Sequence, residues 1–155
     1  MTNESQAKVI SGFPGVGKSV LFHMHASGVI DSDSSSFSWR TNGTRNPQFP
    51  RNYVKHIQSQ IKSQDIILVS SHEVVRNALI EEGVSLTIVY PERDLKAEYL
   101  ERYRRRGNTE EFIEMMDKNW DKFLDGIEML EGTEGVTLLP LKSNVFLADV
   151  IKEVR

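Results

Sequence analysis

The stretch Ala7-Lys8-Val9-Ile10-Ser11-Gly12-Phe13-Pro14-Gly15-Val16-Gly17-Lys18-Ser19 decides how the rest of the chain is read. Val9 and Ile10 belong to a short apolar run that Gly12 breaks, the pattern of a buried strand entering a glycine-rich turn. Lys18 to Ser27 then has helical spacing, with Leu21 and Met24 or His25 on one face and Gly28 suited to the C-terminal cap. Strand, G-x-x-x-x-G-K-S and helix in that order is the setting in which this motif cradles phosphate. Its glycines let backbone N–H groups converge on anionic oxygens at a helix N-terminus. Gly12, Phe13, Pro14, Gly15, Val16, Gly17, Lys18 and Ser19 are therefore the candidate nucleotide-binding residues. Lys18 is the candidate catalytic cation for the β- and γ-phosphates and Ser19 a candidate ligand for the metal, which makes ATP and Mg²⁺ the expected cofactors.

Outward from the loop, apolar runs and helical spacings alternate. Val29-Ile30-Asp31-Ser32-Asp33 reads as a second strand that ends in acidic residues, Ile66-Ile67-Leu68-Val69 and Leu86 to Tyr90 as continuously buried strands, and Val136 to Leu139 as a last one. Helices are predicted over Asn52 to Ser63, Glu73 to Glu82, Asp94 to Arg106, Thr109 to Leu130 and Val145 to Val154, with Gly83 and Gly107 as stops. Five such alternations predict a doubly wound α/β fold with a parallel sheet, as one domain over 1–155. Ser34 to Pro50 is dense in Ser, Asn, Gly and Pro yet carries Phe37, Trp39, Arg40, Arg45 and Phe49, followed by Arg51. A loop of that length and content, taken as 34–51, reads as the place where an acceptor binds.

Composition narrows the function classes. A chain of 155 residues can bury about two-thirds of its unfolded surface. The absence of cysteine excludes disulfide staples, thiolate metal sites and cysteine nucleophiles. A formal charge of −3 gives no global attraction to nucleic acid, although Arg102, Arg104, Arg105 and Arg106 form a local basic cluster. Met1 to Gln6 is short and polar, and no apolar run approaches the roughly 20 residues a membrane span needs. The expectation is a cytoplasmic protein (host cytoplasm if viral) with no membrane partner, monomeric or a homodimer. A small-molecule nucleotide acceptor is expected as its partner, with nucleic acid possible but not favoured.

Ligands of parallel sheets bind at the carboxyl ends of the strands, where Asp31 and Asp33 lie two residues apart on one side. Asp31 is a candidate Mg²⁺-associated group and Asp33 a candidate catalytic one. Both are also candidates for contacting the acceptor; the plain alternative is that either caps a turn. The third strand ends Leu68-Val69-Ser70-Ser71-His72 without the carboxylate that usually closes this strand in ATP-binding sheets, while His72 and Arg76 occupy positions that resemble those of substrate-binding groups in related kinases. With Arg40, Arg45 and Arg51 they complete the candidate acceptor site. Arg102 and Arg106, at i and i+4, share a helix face and could bind equatorial phosphoryl oxygens as catalytic groups. The alternative is a basic last turn that complements the helix dipole.

Five segments carry a resemblance. Gly12-Phe13-Pro14-Gly15-Val16-Gly17-Lys18-Ser19 resembles the loop of nucleoside monophosphate kinases, its Pro14-Gly15 step that of adenylate kinases. Arg102-Tyr103-Arg104-Arg105-Arg106-Gly107-Asn108-Thr109-Glu110-Glu111 resembles the segment leading into the lid of guanylate kinases. Val29-Ile30-Asp31-Ser32-Asp33 is similar to the Asp-x-Asp of shikimate-type kinases. Arg45-Asn46-Pro47-Gln48-Phe49-Pro50-Arg51-Asn52-Tyr53, with Val69 to Arg76, is similar to small kinase-like proteins of tailed bacteriophages. The resemblance implies a three-layer P-loop NTPase sandwich with a five-stranded parallel sheet, a lid-like segment at 102–118, and a kinase of nucleotide metabolism that transfers the ATP γ-phosphoryl group to a (deoxy)nucleoside monophosphate. Two other outcomes are compatible with the same residues. One is a hydroxyl kinase acting on a nucleoside, polynucleotide or small metabolite with an Asp general base. The other is a non-catalytic nucleotide-binding protein.

Overall fold

A computed structural model describes residues 8–18, 29–31, 47–61, 66–69 and 73–154. The predicted helix after the loop, all of the acceptor loop before Pro47, and the candidate residues Ser19, Asp33, Arg40, Arg45 and His72 lie outside the described residues.

Among the described residues five parallel strands form one sheet: β1 (Lys8–Gly12), β2 (Val29–Asp31), β3 (Ile66–Val69), β4 (Leu86–Pro91) and β5 (Val136–Leu141), in the spatial order β2-β3-β1-β4-β5. The central strands are nearly continuous apolar runs because both their faces are covered. All four residues of β3 are buried, as are Val9 to Gly12 of β1. β5 runs two residues further than its sequence signal, through Pro140, which an edge strand accommodates because one side of its ladder is unpaired.

Five α-helices are described: α1 (Arg51–Gln60), α2 (Glu73–Glu81), α3 (Lys96–Arg105), α4 (Glu110–Glu128) and α5 (Leu147–Val154). The predicted start of α3 at Asp94 is a 3₁₀ turn over Arg93–Leu95. α4 begins where Thr109 caps it, its hydroxyl accepting from the Phe112 N–H at 3.1 Å. Ile113, Met116, Trp120, Leu124 and Ile127 recur at helical spacing and form its buried stripe. Lys96 pairs with Asp117 at 2.7 Å, tying α3 to α4. Among the described residues no helix is long and apolar enough to cross a membrane.

The strand order positions the site. From β1 the chain crosses to β2 on one side, whereas from the adjacent β4 it continues to β5 on the other. Connections that diverge in this way leave a crevice at the carboxyl ends of the two strands. The loop after β1 opens there.

Candidate functional site

β1 ends at Gly12, paired with Val89, and the chain is held one residue further by the Phe13 N–H donating to the Val89 carbonyl at 2.9 Å. The loop then turns on itself, the Val16 N–H donating to the Phe13 carbonyl at 3.2 Å. Gly15 and Gly17 have φ of 95° and 101°, a region other residues avoid. A side chain at either would also press on a neighbouring ring. A Cβ on Gly15 would stand 3.1 Å from the rings of both Tyr99 and Tyr103, and one on Gly17 3.3 Å from Phe146. Lys18 folds back over the strand end, so that a Cβ on Gly12 would meet its Cδ at 2.9 Å, and its Nζ donates to the Gly12 carbonyl at 3.0 Å. Phe13 and Val16 are the buried anchors. Phe13 packs edge-on against Trp120 and Tyr99, with centroids at 5.5 and 6.5 Å.

Three consecutive loop carbonyls are held from outside. Tyr103 Oη donates to Pro14 O, Arg102 Nη1 to Gly15 O, and the Leu147 N–H at the start of α5 to Val16 O, each at 2.8 Å. The Arg102 guanidinium lies between the Tyr99 and Phe146 rings, 4.1 Å from each centroid, and its Nη2 donates to Glu98 Oε2 at 2.9 Å. Glu98 also accepts from Ser143 Oγ at 2.6 Å and from the Asn144 N–H at 3.0 Å. Those two hydrogen bonds, with the Arg102 charge, hold its carboxyl below the usual carboxylate range. Burial pushes the Tyr103 hydroxyl pKa up, so Tyr103 stays a neutral donor.

The two arginines predicted to act together are placed differently. Arg102 is mostly buried, its side chain 14 % exposed, and it points at the loop backbone and Glu98. Arg106 is exposed on the final turn, its guanidinium 6.0 Å from the Tyr103 ring centroid. Arg104 and Arg105 are exposed and pair with Glu101. Arg51, the first residue of α1, is exposed. Asp31 closes β2 opposite Leu68, and Leu68 in turn pairs with Ile10. At about 4.8 Å per strand, Asp31 lies about 10 Å to the side of the loop strand.

Arg76 of α2 is buried, 6 % exposed; burial lowers its pKa, and the charge of Glu73 acts the opposite way. It lines a cavity of about 630 Å³ bounded by Phe13 and Pro14 of the loop, Glu73 of α2, and apolar side chains of α4 including Phe112 and Phe123. Of the candidate site residues that the structure describes, Arg76 and the loop's Phe13 and Pro14 are brought together around this space. Glu98, Tyr99, Phe146 and the cavity wall on α4 were not read from the sequence. The i, i+4 pairs Glu98–Arg102 and Tyr99–Tyr103 were visible signals for the helix, but nothing local couples Phe146 to them. Among the described residues no group of three or more His, Asp or Glu side chains is placed to hold a metal ion.

Compared with known proteins, the chain matches no protein-family model and no curated sequence.

Proposed function

We propose that the chain is an ATP-dependent phosphotransferase on a P-loop NTPase sandwich, acting on a (deoxy)nucleoside monophosphate. The observation that carries the reading is the loop itself. Gly12 to Lys18 of the G-x-x-x-x-G-K-S motif stand at the carboxyl end of β1, in the crevice where the chain connections diverge, with Lys18 folded back over the strand end. The residues fit a polyphosphate: glycines at positive φ, a lysine at the mouth, and loop carbonyls drawn to the outside.

Bound there with Mg²⁺, ATP supplies an activated phosphoryl group. The chain's contribution is position and charge, since phosphoryl transfer asks for little covalent chemistry from protein. The loop amides and Lys18 hold the phosphate chain. The neighbouring cavity is the acceptor pocket in this reading: its apolar walls suit a base and sugar, and the buried Arg76 guanidinium suits the monophosphate. Arg106, exposed beyond the loop, is the arginine left to meet developing phosphoryl charge. Transfer to a hydroxyl is the second reading, favoured by the acidic carboxyl end of β2, where Asp31 or Asp33 would serve as base.

ATP consumption measured against nucleoside monophosphates, nucleosides, oligonucleotide ends and sugars tests the proposal. Turnover with a monophosphate and none with the other acceptors is the expected result. Turnover only with a hydroxyl acceptor would establish the second reading, and no turnover despite tight ATP binding would leave a nucleotide-binding protein without catalysis.

A further inference from the structure

We propose that Arg102 is a positioning residue, which with Tyr103 and the N-terminus of α5 presets the phosphate loop from its outer side and does not itself touch the transferred group. This rests on the nucleotide-binding reading of the loop, but assigns to Arg102 a different task from the one its place in an arginine pair suggests.

In a trans peptide the carbonyl of one residue and the N–H of the next point in opposite directions. The carbonyls of Pro14, Gly15 and Val16 are each fixed at 2.8 Å by an outside donor. The N–H groups of Gly15, Val16 and Gly17 are thereby turned the other way. The Val16 N–H is taken by the Phe13 carbonyl within the turn, which leaves the Gly15 and Gly17 N–H groups directed to the inner side by the same constraint. A glycine-rich loop has many conformations to lose. Fixing its carbonyls before ligand arrives removes that cost from binding.

Arg102 is built for this and not for reaching outward. The Tyr99 and Phe146 rings each hold the guanidinium carbon at 4.1 Å, Gly15 O takes Nη1, and Glu98 takes Nη2. Glu98 is itself anchored by Ser143 and Asn144 in the turn between β5 and α5. The same α5 supplies the Leu147 N–H, and Phe146 packs on Gly17. Two elements far apart in sequence thus meet on the loop's back through one guanidinium.

The test is calorimetric titration of the full chain, in Mg²⁺, with ADP and with a non-hydrolysable ATP analogue. Arg102→Ala should weaken both nucleotides by the same factor, about 10-fold or more, since it removes a charge-assisted hydrogen bond to the loop. Tyr103→Phe keeps the ring and removes only the bond to Pro14; it should weaken both by about 3- to 10-fold. Arg102→Lys can still reach a carbonyl but cannot stack as a plane, and should fall between wild type and Arg102→Ala. Unchanged ADP affinity in all three variants, with the ATP analogue alone weakened by Arg102→Ala, would overturn the proposal in favour of a direct contact to the terminal phosphate. Lower melting temperatures with unchanged affinity for both nucleotides would overturn it in favour of a purely structural role. A wild-type chain that binds neither nucleotide refutes the loop reading itself, and this inference with it.

Discussion

Lys18 and Glu98 stand on opposite sides of the same loop, and substituting each should have opposite consequences. The Lys18 stem lies over Gly12 and its Nζ donates to the Gly12 carbonyl at 3.0 Å, contacts with the loop's own backbone and not with the core. Lys18→Ala should abolish phosphoryl transfer, leaving the melting temperature within a few degrees of wild type. Unchanged turnover in the folded variant would remove the loop from catalysis. Glu98 is the reverse case, a structural anchor. Its folded pKa is depressed, so its contribution is present above the unfolded value of about 4.3 and is lost as pH falls through the folded one. Glu98→Gln should therefore melt below wild type at pH 7, and the gap should close as the pH falls below about 4.3. A gap of constant size across that range would show that the carboxylate charge is irrelevant. At this scale the motif was legible because its requirements are local: glycines, a lysine and their spacing. The grip of Phe146 on Arg102 was not, because the two residues are far apart in the chain and only the fold brings them together.

The loop rests on a seam between α3 and α4. Phe13, Tyr99 and Trp120 touch edge-on or tilted, Tyr103 meets Phe112 at 5.2 Å, and the Trp120 Nε1–H donates to the Arg93 carbonyl at 2.9 Å. Arg93 in turn meets Asp121, Asp125 and Glu128 along α4 at 3.0, 2.8 and 2.6 Å. Those carboxylates are largely exposed, so each pair is worth at most about 1 kcal/mol, and the seam's strength is in its rings. Trp120→Ala should cost about 3–5 kcal/mol, read from urea midpoints, and should weaken nucleotide binding in the still-folded protein because Phe13 loses the nearer of its two ring partners. A loss below about 1 kcal/mol would mean that the seam repacks and does not support the loop. The stripe of α4 was legible, since Ile113, Met116, Trp120, Leu124 and Ile127 recur at the helical period. The cavity that α4 walls was not. It exists only between α4, α2 and the loop, and periodicity reports which face is buried without saying against what.

Across the whole sheet, the strand order decides what Asp31 can do. Alternation of strands and helices predicted a parallel sheet, and the sheet is parallel with five strands. Alternation carries no information about order, and it is order that puts β2 at the edge, about 10 Å from the loop strand, with β3 between them. A monophosphate acceptor bridges such a gap and brings an already ionised oxygen to the phosphoryl group, so it needs no base. A hydroxyl acceptor needs its proton removed by a carboxylate within hydrogen-bond reach. Asp31→Asn separates the two. With a monophosphate acceptor the substitution should lower kcat only in part, raised Mg²⁺ should recover much of the loss, and the pH profile should keep its shape. The measurement is kcat for wild type and Asp31→Asn across pH 5 to 9 and across a Mg²⁺ titration, with the acceptor that the screen returns. A loss that no Mg²⁺ concentration relieves, together with disappearance of an acidic limb present in wild type, would make Asp31 the general base and the acceptor a hydroxyl.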